Sequence, residues 1–474
     1  MNILDIIIFI LYFAGMLAVG FFFYFRNKNI DDYYIGGRSL GSWHIGLSVV
    51  ATDVGGGFSI GLGGLGFAIG LAGSWMLFTG LIGAWLSAVF LIPRIKNLST
   101  EKKYHTFPQI FEYFYDKRVA LLAGVISAIG YIGFTSSQLL AGAKLADATF
   151  AEIDLQTALI IMGVIAVVYT GIGGLKAVIY TDTIQWIILM SGLIFIGIPA
   201  SYYAVGGYES IIATIGPEFL SLSNITWQQF INWFVTIVPI WFVGMTLYQR
   251  IYASRSEKQA KRAWYIAGVF EWPLMAFMGV SLGLLARVAF EQGLFAEVSA
   301  VGSGFDPEMG LPILLNTVLP AGIMGLMLSA YFSAVLSTAD SCLMAASGNV
   351  QTDILNKIFK FNSDTKSQLR ISQLLTLGIG IFALILATLM TNVLELMLYS
   401  YAFMVSGLFV PVVAALFSKR PNATAAIASM LIGGTTTITL IILDTNLPFG
   451  LDENIFGISG SSVTYIIISS IKRK

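Results

Sequence analysis

A ten-residue stretch, 333–342, places polar side chains at helical spacing. The positions i, i+3, i+4 and i+7 are occupied by Ala334, Ser337, Thr338 and Ser341. These positions share one helix face, and Asp340 borders it. Hydroxyls, a carboxylate and backbone carbonyls are hard oxygen ligands, which suit alkali or alkaline-earth cations better than zinc or copper. A single Ser or Thr more often bonds to its own helix backbone, but this grouping favours a cation site.

A second stretch, 51–57, reads Ala-Thr-Asp-Val-Gly-Gly-Gly inside an otherwise apolar segment. A charge at mid-membrane depth costs about 2.5–3.5 kcal/mol, and each glycine weakens a helix by about 1 kcal/mol. A span that carries both Asp53 and three glycines is predicted to be a broken helix whose backbone faces a polar cavity.

Asp182 is a third candidate, within the polar run 180–185. It follows Gly173, Gly174 and Lys176, so it could be a solvated residue at a helix N-terminus, where the helix dipole favours a carboxylate. The alternative is a cation ligand. The residues themselves leave both interpretations open.

The elements that must position these residues are membrane helices. Of the 474 residues, 57% are hydrophobic and only 11% are charged, which indicates an integral membrane protein. No basic stripe suggests nucleic-acid binding. One cysteine and two histidines make a transition-metal site improbable. The first apolar run is long enough to be a retained helix.

Apolar segments long enough to cross a bilayer recur along the whole chain. We predict thirteen spans, near 3–25, 41–70, 74–93, 119–147, 155–172, 177–201, 229–251, 263–289, 312–342, 369–390, 393–417, 422–443 and 456–471. Alternate loops then carry every basic residue except Lys144 and Arg287. By the positive-inside rule, the N-terminus is outside and the C-terminus is cytoplasmic, in a plasma membrane (the inner membrane of a bacterium).

The seventh span is also interrupted, because Pro239 and Gly244 lie within it. Two interrupted helices in corresponding halves are typical of a transporter binding site. The spacing predicts one transporter domain, 1–474, with five-helix repeats of opposite topology at 41–201 and 229–417. The segment 3–25 adds one N-terminal helix and 422–471 adds two at the C-terminus.

The chain resembles the sodium/solute symporter family, which includes proline, glucose, sialic acid and choline transporters. The resemblance rests on motifs in a fixed order: DDYYIGGR at 31–38, ATD at 51–53, YTGIGG at 169–174, TD at 181–182, QR at 249–250 and STADS at 337–341. It implies an all-α, LeuT-like core whose first and sixth core helices are broken. It also implies transport coupled to Na⁺, not enzymatic activity.

The resemblance further implies ligands for sodium. A first site would use the carbonyls and hydroxyls of Ala51, Val54, Ala334, Ser337 and Thr338. A possible second site would use Asp182, Ser337, Asp340 and Ser341. Position 340 carries a carboxylate here, where some relatives have a hydroxyl.

The resemblance places the solute beside the broken helices. The candidate contacts are Asp53, Gly55, Gly56, Gly57, Phe134, Thr135, Gln138, Trp241, Met245 and Tyr248, with Tyr399 and Tyr401 as gates. We expect a monomeric sodium-coupled symporter for an amino acid or a similar zwitterion or carboxylate. A sugar, polyol or quaternary amine is the alternative solute, and a channel or a sensor is the alternative class.

Overall fold

All the regular structure that the described residues form is helical, apart from one isolated bridge between Leu40 and Ser254. The computed structural model describes residues 3–24, 34–150, 153–295, 305–359 and 365–471. This agrees with the all-α class that the family resemblance implies.

Twenty α-helices follow one another along these segments. They are α1 (Ile3–Tyr24), α2 (Ser42–Ile69), α3 (Trp75–Phe90), α4 (Ile92–Lys102), α5 (Pro108–Phe114), α6 (Lys117–Thr149), α7 (Leu155–Gly192), α8 (Ile198–Ala204), α9 (Gly207–Ile215), α10 (Trp227–Val243), α11 (Met245–Ala253), α12 (Glu257–Phe270), α13 (Phe277–Glu291), α14 (Pro307–Val318), α15 (Ile323–Gly348), α16 (Asn356–Phe359), α17 (Thr365–Ala387), α18 (Val393–Phe417), α19 (Ala423–Leu443) and α20 (Glu453–Ile471).

Both predicted helix breaks are present. In α2 the backbone leaves helical geometry at Gly55, with φ 47° and ψ −175°. In the seventh predicted span, α10 and α11 meet at Gly244 with a bend of 43°. Glycine has no Cβ, so it adopts the positive φ at position 55 without the steric cost that other residues bear.

Nine helical stretches of the described chain are long and apolar enough to cross a membrane, and the bent pair α10–α11 makes a tenth. Among the described residues, the other three predicted spans are not separate stretches of that length, so the count of thirteen stays a prediction. Ile3–Gly15 and Leu155–Ala166 are shorter apolar helices, and Ser59–Phe90 joins parts of two predicted spans into one stretch.

Two predicted boundaries were wrong. The expected loop between spans 155–172 and 177–201 is helical, since α7 continues for 38 residues. A straight helix of that length is about 57 Å long, nearly twice the hydrocarbon core. The predicted span 312–342 is two helices, because Pro320 and the positive φ of Gly322 separate α14 from α15.

Three helices surround the polar residues singled out above. The broken helix α2 contacts both α7 and α15, and these two also contact each other. The face 334–341 of α15 is buried throughout. The polar side chains therefore lie inside the bundle, away from lipid.

A buried ionic junction joins three further elements. Lys144 Nζ of α6 lies 2.5 Å from Asp306 Oδ2 and 2.6 Å from Glu308 Oε2. Glu308 also accepts the backbone N–H groups of Val393 and Leu394, at 2.9 Å each. These N–H groups belong to the first turn of α18. The N–H groups of a first helical turn have no carbonyl acceptor within their own helix.

Candidate cation and solute site

The hydroxyl of Thr338 connects the broken helix α2 with the polar face of α15. Thr338 Oγ1 lies 3.0 Å from the carbonyl oxygen of Ala51 on α2 and 3.1 Å from that of Ala334 on α15. Ser337 Oγ lies 3.3 Å from the same Ala334 oxygen. Four of the five predicted ligands of the first sodium site thus converge, and a cation here would be held by hard oxygen atoms.

Gly55 forms the wall beside this cluster. A Cβ atom at position 55 would lie 2.7 Å from Thr338 Oγ1 and 3.2 Å from Gln138 Oε1. Both distances are too short for an ordinary contact with carbon. The absence of a side chain lets Thr338, a predicted cation ligand, and Gln138, a predicted solute residue, approach the same point of the backbone.

A second polar cluster surrounds Arg250, which was counted from sequence among the cytoplasmic loop charges. That placement was wrong, because Arg250 lies on α11 and is completely buried. Its guanidinium donates to Ser48 Oγ at 3.0 Å, to Thr52 Oγ1 and to Ser341 Oγ at 3.1 Å. It therefore ties α11 to both α2 and α15.

Asp182 belongs to this cluster, so its interpretation as a solvated residue is wrong. It is fully buried on α7 and accepts a hydrogen bond of 2.5 Å from Ser48 Oγ. Arg250 Nη2 lies 3.5 Å from Asp182 Oδ2. Such a pair removes two charges from water and leaves each dependent on the other.

Asp340 adds a second carboxylate to the same region. It is fully buried, and its Oδ1 accepts a hydrogen bond from Thr170 Oγ1. Within the described residues, Asp182 Oδ1 and Asp340 Oδ2 have no hydrogen-bond partner. Ionisation of both carboxylates beside one guanidinium would leave one buried negative charge, which a bound proton or cation would offset. The cluster can therefore accept one more positive charge.

Comparison with known proteins decides the family. Residues 33–433 match the model of the sodium:solute symporter family. The chain belongs to this family. It is 30% identical to the high-affinity proline transporter PutP of Bacillus subtilis over 96% of this chain and 95% of that one. It is also 28% identical to the sodium/proline symporter of Escherichia coli, over 98% of this chain and 92% of that one.

The fold of this symporter is also that of a solved relative. The substrate-bound, outward-open structure of a Na⁺-coupled sialic acid symporter matches 99% of this chain and 98% of that chain. The TM-score is 0.81 at 23% sequence identity. The family and this fold establish a multi-pass, sodium-coupled membrane transporter, and the named relatives are transporters, not enzymes.

The predicted solute contacts in the symporter lie on more than one helix. Phe134 and Thr135 lie on α6, one turn before Gln138, and are buried with it. Trp241 lies on α10 and packs against Trp264, at 6.3 Å between ring centroids. Their contacts with the solute stay predictions.

Two further candidates contact the loop that precedes α5. Met245 Sδ accepts the backbone N–H of Phe107 at 3.1 Å. The ring of Tyr248 lies 4.6 Å from that of Phe107, and its hydroxyl donates to Phe242 O at 2.8 Å. Their role toward the solute stays a prediction.

The two predicted gate tyrosines occupy different surroundings. Tyr401 is buried, and its ring makes an edge-to-face contact with Phe134 at 5.1 Å. Tyr399 donates from its hydroxyl to Glu395 Oε1 at 2.7 Å. Tyr401 therefore contacts a predicted solute residue, and the gating role of both tyrosines stays a prediction.

Some predicted contacts involve positions of α2 whose side chains and surroundings the structure does not describe. The side chains of Asp53 and Val54, and the surroundings of Gly56 and Gly57, lie outside the described residues, although their backbone belongs to α2. Their contacts with cation and solute stay predictions.

Sequence reasoning missed Tyr131. Its hydroxyl lies 3.1 Å from the backbone nitrogen of Thr246, which donates to it from the first turn of α11. Tyr131 therefore supports the helix end beside the Gly244 break. A signal existed, because residue 131 shares the helix face of Phe134, Thr135 and Gln138 at spacings i, i+3, i+4 and i+7.

Proposed function

We propose that this symporter imports a small amino acid, with proline as the first candidate, together with sodium. The observation that carries the proposal is the hydroxyl of Thr338, which bridges carbonyl oxygens of α2 and α15 beside the helix break at Gly55. The relatives named proline transporters match nearly the whole chain. A zwitterion suits a broken helix, whose free backbone groups can meet both charges.

The first sodium ion is proposed to bind where α2 meets α15. Its ligands would be Ala51, Val54, Ala334, Ser337 and Thr338. Sodium there would hold the two helices together and favour the conformation that takes up solute. Loss of sodium to the cytoplasm would release that junction and favour opening inward.

A second sodium ion is proposed at Asp182, Ser337, Asp340 and Ser341. Among the described residues, Asp182 Oδ1 and Asp340 Oδ2 have no hydrogen-bond partner, and this supports the proposal because a cation would supply a partner. Ser341 already accepts from Arg250, so this site and the arginine are in direct contact. Ser337 would belong to both sites.

The sodium gradient is strong enough for accumulation. A charge that crosses 100 mV gains about 2.3 kcal/mol, and a tenfold gradient adds roughly 1.4 kcal/mol. One sodium ion thus supplies about 3.7 kcal/mol, enough for a several-hundred-fold accumulation of a neutral solute. Two ions would square that ratio.

The solute is proposed to bind along the wall formed by Asp53, Gly55, Gly56, Gly57 and Gln138. Phe134, Thr135, Trp241, Met245 and Tyr248 are the further proposed contacts, and Tyr399 and Tyr401 the proposed gates. Sugars and sialic acid are the main alternatives, since relatives include a sodium/glucose cotransporter and a sodium/sialic acid symporter. Choline-like amines are a further alternative.

The arrangement in the membrane is part of the proposal. We infer thirteen spans, two inverted repeats at 41–201 and 229–417, an outer N-terminus, a cytoplasmic C-terminus and a functional monomer. The strong asymmetry of basic residues between alternate loops supports this orientation.

Uptake into sealed proteoliposomes tests the proposal. Labelled proline, glucose, sialic acid and choline are offered separately, with and without an inward sodium gradient. We expect only proline or a related amino acid to accumulate, and only with the gradient. Equilibration without accumulation would indicate a channel, binding without uptake a sensor, and accumulation of another compound would replace the proposed solute.

A further inference from the structure

A second polar cavity lies apart from the cation cluster, at the beginning of α18. Its volume is about 400 Å³. It is lined by Thr236, Asn392, Leu394, Glu395, Leu398, Tyr399, Ala402, Asp452, Glu453 and Asn454. These residues come from α10, from α18 with the preceding Asn392, and from the first turn of α20 with the preceding Asp452. The proposed orientation places the cavity on the outer side of the membrane.

One wall of the cavity is acidic and held in place. Asn232 Nδ2 donates to Asp452 Oδ1 at 2.7 Å, and Asp452 N donates back to Asn232 Oδ1 at 3.1 Å. Glu395 accepts from Tyr399, and Glu453 follows Asp452 in the chain. The lining contains three carboxylates and no basic side chain, so it attracts positive charge.

Asn454 provides an independent indication of a ligand. Asn454 is fully buried, and its Nδ2 donates to Thr236 Oγ1 at 2.8 Å. The hydroxyl of Thr236 in turn donates to Asn232 O at 2.8 Å. Among the described residues, Asn454 Oδ1 has no donor. A buried oxygen without a partner costs about 1–3 kcal/mol, and Asn454 is one of the residues that line the cavity.

The opposite wall is aliphatic, formed by Leu394, Leu398 and Ala402 of α18. Such a wall gains nothing from a bare metal ion, but it favours a hydrocarbon chain. The cavity is also within the size range of small-molecule sites, about 300–1,000 Å³, and far larger than one ion. Carboxylates, a free acceptor and leucines together match an organic ammonium compound.

We propose that this cavity binds an organic ammonium group, with N–H donated to Asn454 Oδ1 and the positive charge beside Glu395 and Asp452. The aliphatic part of the ligand lies on Leu394 and Leu398. This site is separate from the proposed sodium sites. It does not depend on whether the bound compound is transported.

Cysteine reactivity in the purified full-length protein tests the site. The native Cys342 is buried, so the wild-type protein provides the background. Leu398→Cys is treated with a cationic and an anionic methanethiosulfonate reagent, and Leu222→Cys is the matched control. Leu222 lies in another surface cavity, whose lining carries no acidic side chain.

We expect the ratio of cationic to anionic reaction rates to be about tenfold or more higher at Leu398→Cys than at Leu222→Cys, by local concentration of cations. Adding Glu395→Gln and Asp452→Asn should bring the two ratios together. Equal ratios without those changes would overturn the acidic character of the cavity. Leu394→Cys provides a second position if Leu398→Cys fails to fold.

Protection by a ligand tests the ammonium group itself. The probe is n-propylammonium chloride, with sodium propionate and sodium chloride at equal concentrations as controls. We expect only n-propylammonium to slow modification of Leu398→Cys severalfold, and Asn454→Leu to weaken that protection. Equal protection by sodium chloride would show that salt slows the modification only by screening the charges of the cavity, and this would refute the site. Neither result depends on the uptake assay.

Discussion

Arg250 Nη2 lies 3.5 Å from Asp182 Oδ2, and neither side chain has exposed surface. The pair connects α11, the second half of one broken helix, to α7. Arg250 also donates to residues of α2 and α15. The guanidinium is thus a fixed cation in the region where the second sodium ion is proposed.

Arg250→Gln should strongly destabilise the protein. Removal of one partner from a buried ion pair costs about 3–5 kcal/mol because the other charge is left uncompensated. We expect a clear fall in the thermal unfolding temperature of the purified protein. The double variant Arg250→Gln/Asp182→Asn should recover much of it, and the exposed Arg255→Gln should change little. No recovery in the double variant would show that the pair is not the cause.

Thr338→Ala and Ser337→Ala should each weaken sodium binding. A hydrogen bond or ligand contact to a charged group is worth about 1.5–3 kcal/mol, so the sodium concentration for half-maximal uptake should rise about tenfold or more. Thr376→Ala is the control, since it also deletes a buried hydroxyl bonded within its own helix. Unchanged sodium dependence in both variants would contradict the first site.

Gly55→Ala should impair both sodium and solute binding. Its methyl group would lie 2.7 Å from Thr338 Oγ1 and 3.2 Å from Gln138 Oε1, at a φ of 47° that side chains disfavour. Uptake assays should show higher half-maximal concentrations for both substrates. Gly41→Ala, with nothing within 4 Å of the added carbon, is the matched control. Normal affinities of Gly55→Ala for sodium and solute would show that Gly55 does not contribute to the site.

Asp340→Asn should remove the second cation while leaving the first. The substitution removes a carboxylate that can take a negative charge, so a second sodium ion loses its main attraction. Sodium activation of uptake should change from cooperative to hyperbolic. Asp444→Asn, which changes an exposed acidic residue, should leave the curve cooperative. A cooperative curve in Asp340→Asn would place the second cation elsewhere.

The cation preference of the cavity beside α18 should decrease in acid. Burial, with repulsion from Glu453, raises the pKa of Asp452 to about 6. Above that pH the carboxylate is charged, and below it the carboxyl is neutral. Glu395, Glu453 and Tyr399 are the other titratable groups that line the cavity.

The measurement is the ratio of cationic to anionic reagent rates at Leu398→Cys between pH 7.5 and 5. Both reagents react with the same thiolate, so the ionisation of the thiol affects both rates equally and does not change their ratio. It should fall through about pH 6, and Asp452→Asn should abolish that step. A step of the same size in Asp452→Asn would assign the titration to another group.

The sequence was sufficient for features that depend on local rules. Helical spacing alone placed Ser337, Thr338 and Ser341 on one face, and the loss of helix propensity at three glycines predicted the break found at Gly55. These inferences need only the geometry of one element and the cost of polar groups in a membrane.

Arg250 could not be placed in this way. A basic residue at the end of an apolar segment matches a cytoplasmic loop charge. Only the folded structure, which brings Arg250 of α11 to 3.5 Å from Asp182 of α7, shows its partner. The boundary between α14 and α15 was missed for a related reason. The apolar composition continues across Pro320 and Gly322, although their backbone preferences end one helix and begin another.

Glu308 has a mechanical consequence for α18. It accepts the first two backbone N–H groups of that helix while Lys144 holds its carboxylate from α6. The helix is therefore anchored at its beginning. Farther along, Pro411 removes one backbone hydrogen bond within α18. One end of α18 is thus fixed to two other helices, while one backbone hydrogen bond is missing near the other end, so we expect any bend of α18 to occur near Pro411 rather than at its beginning.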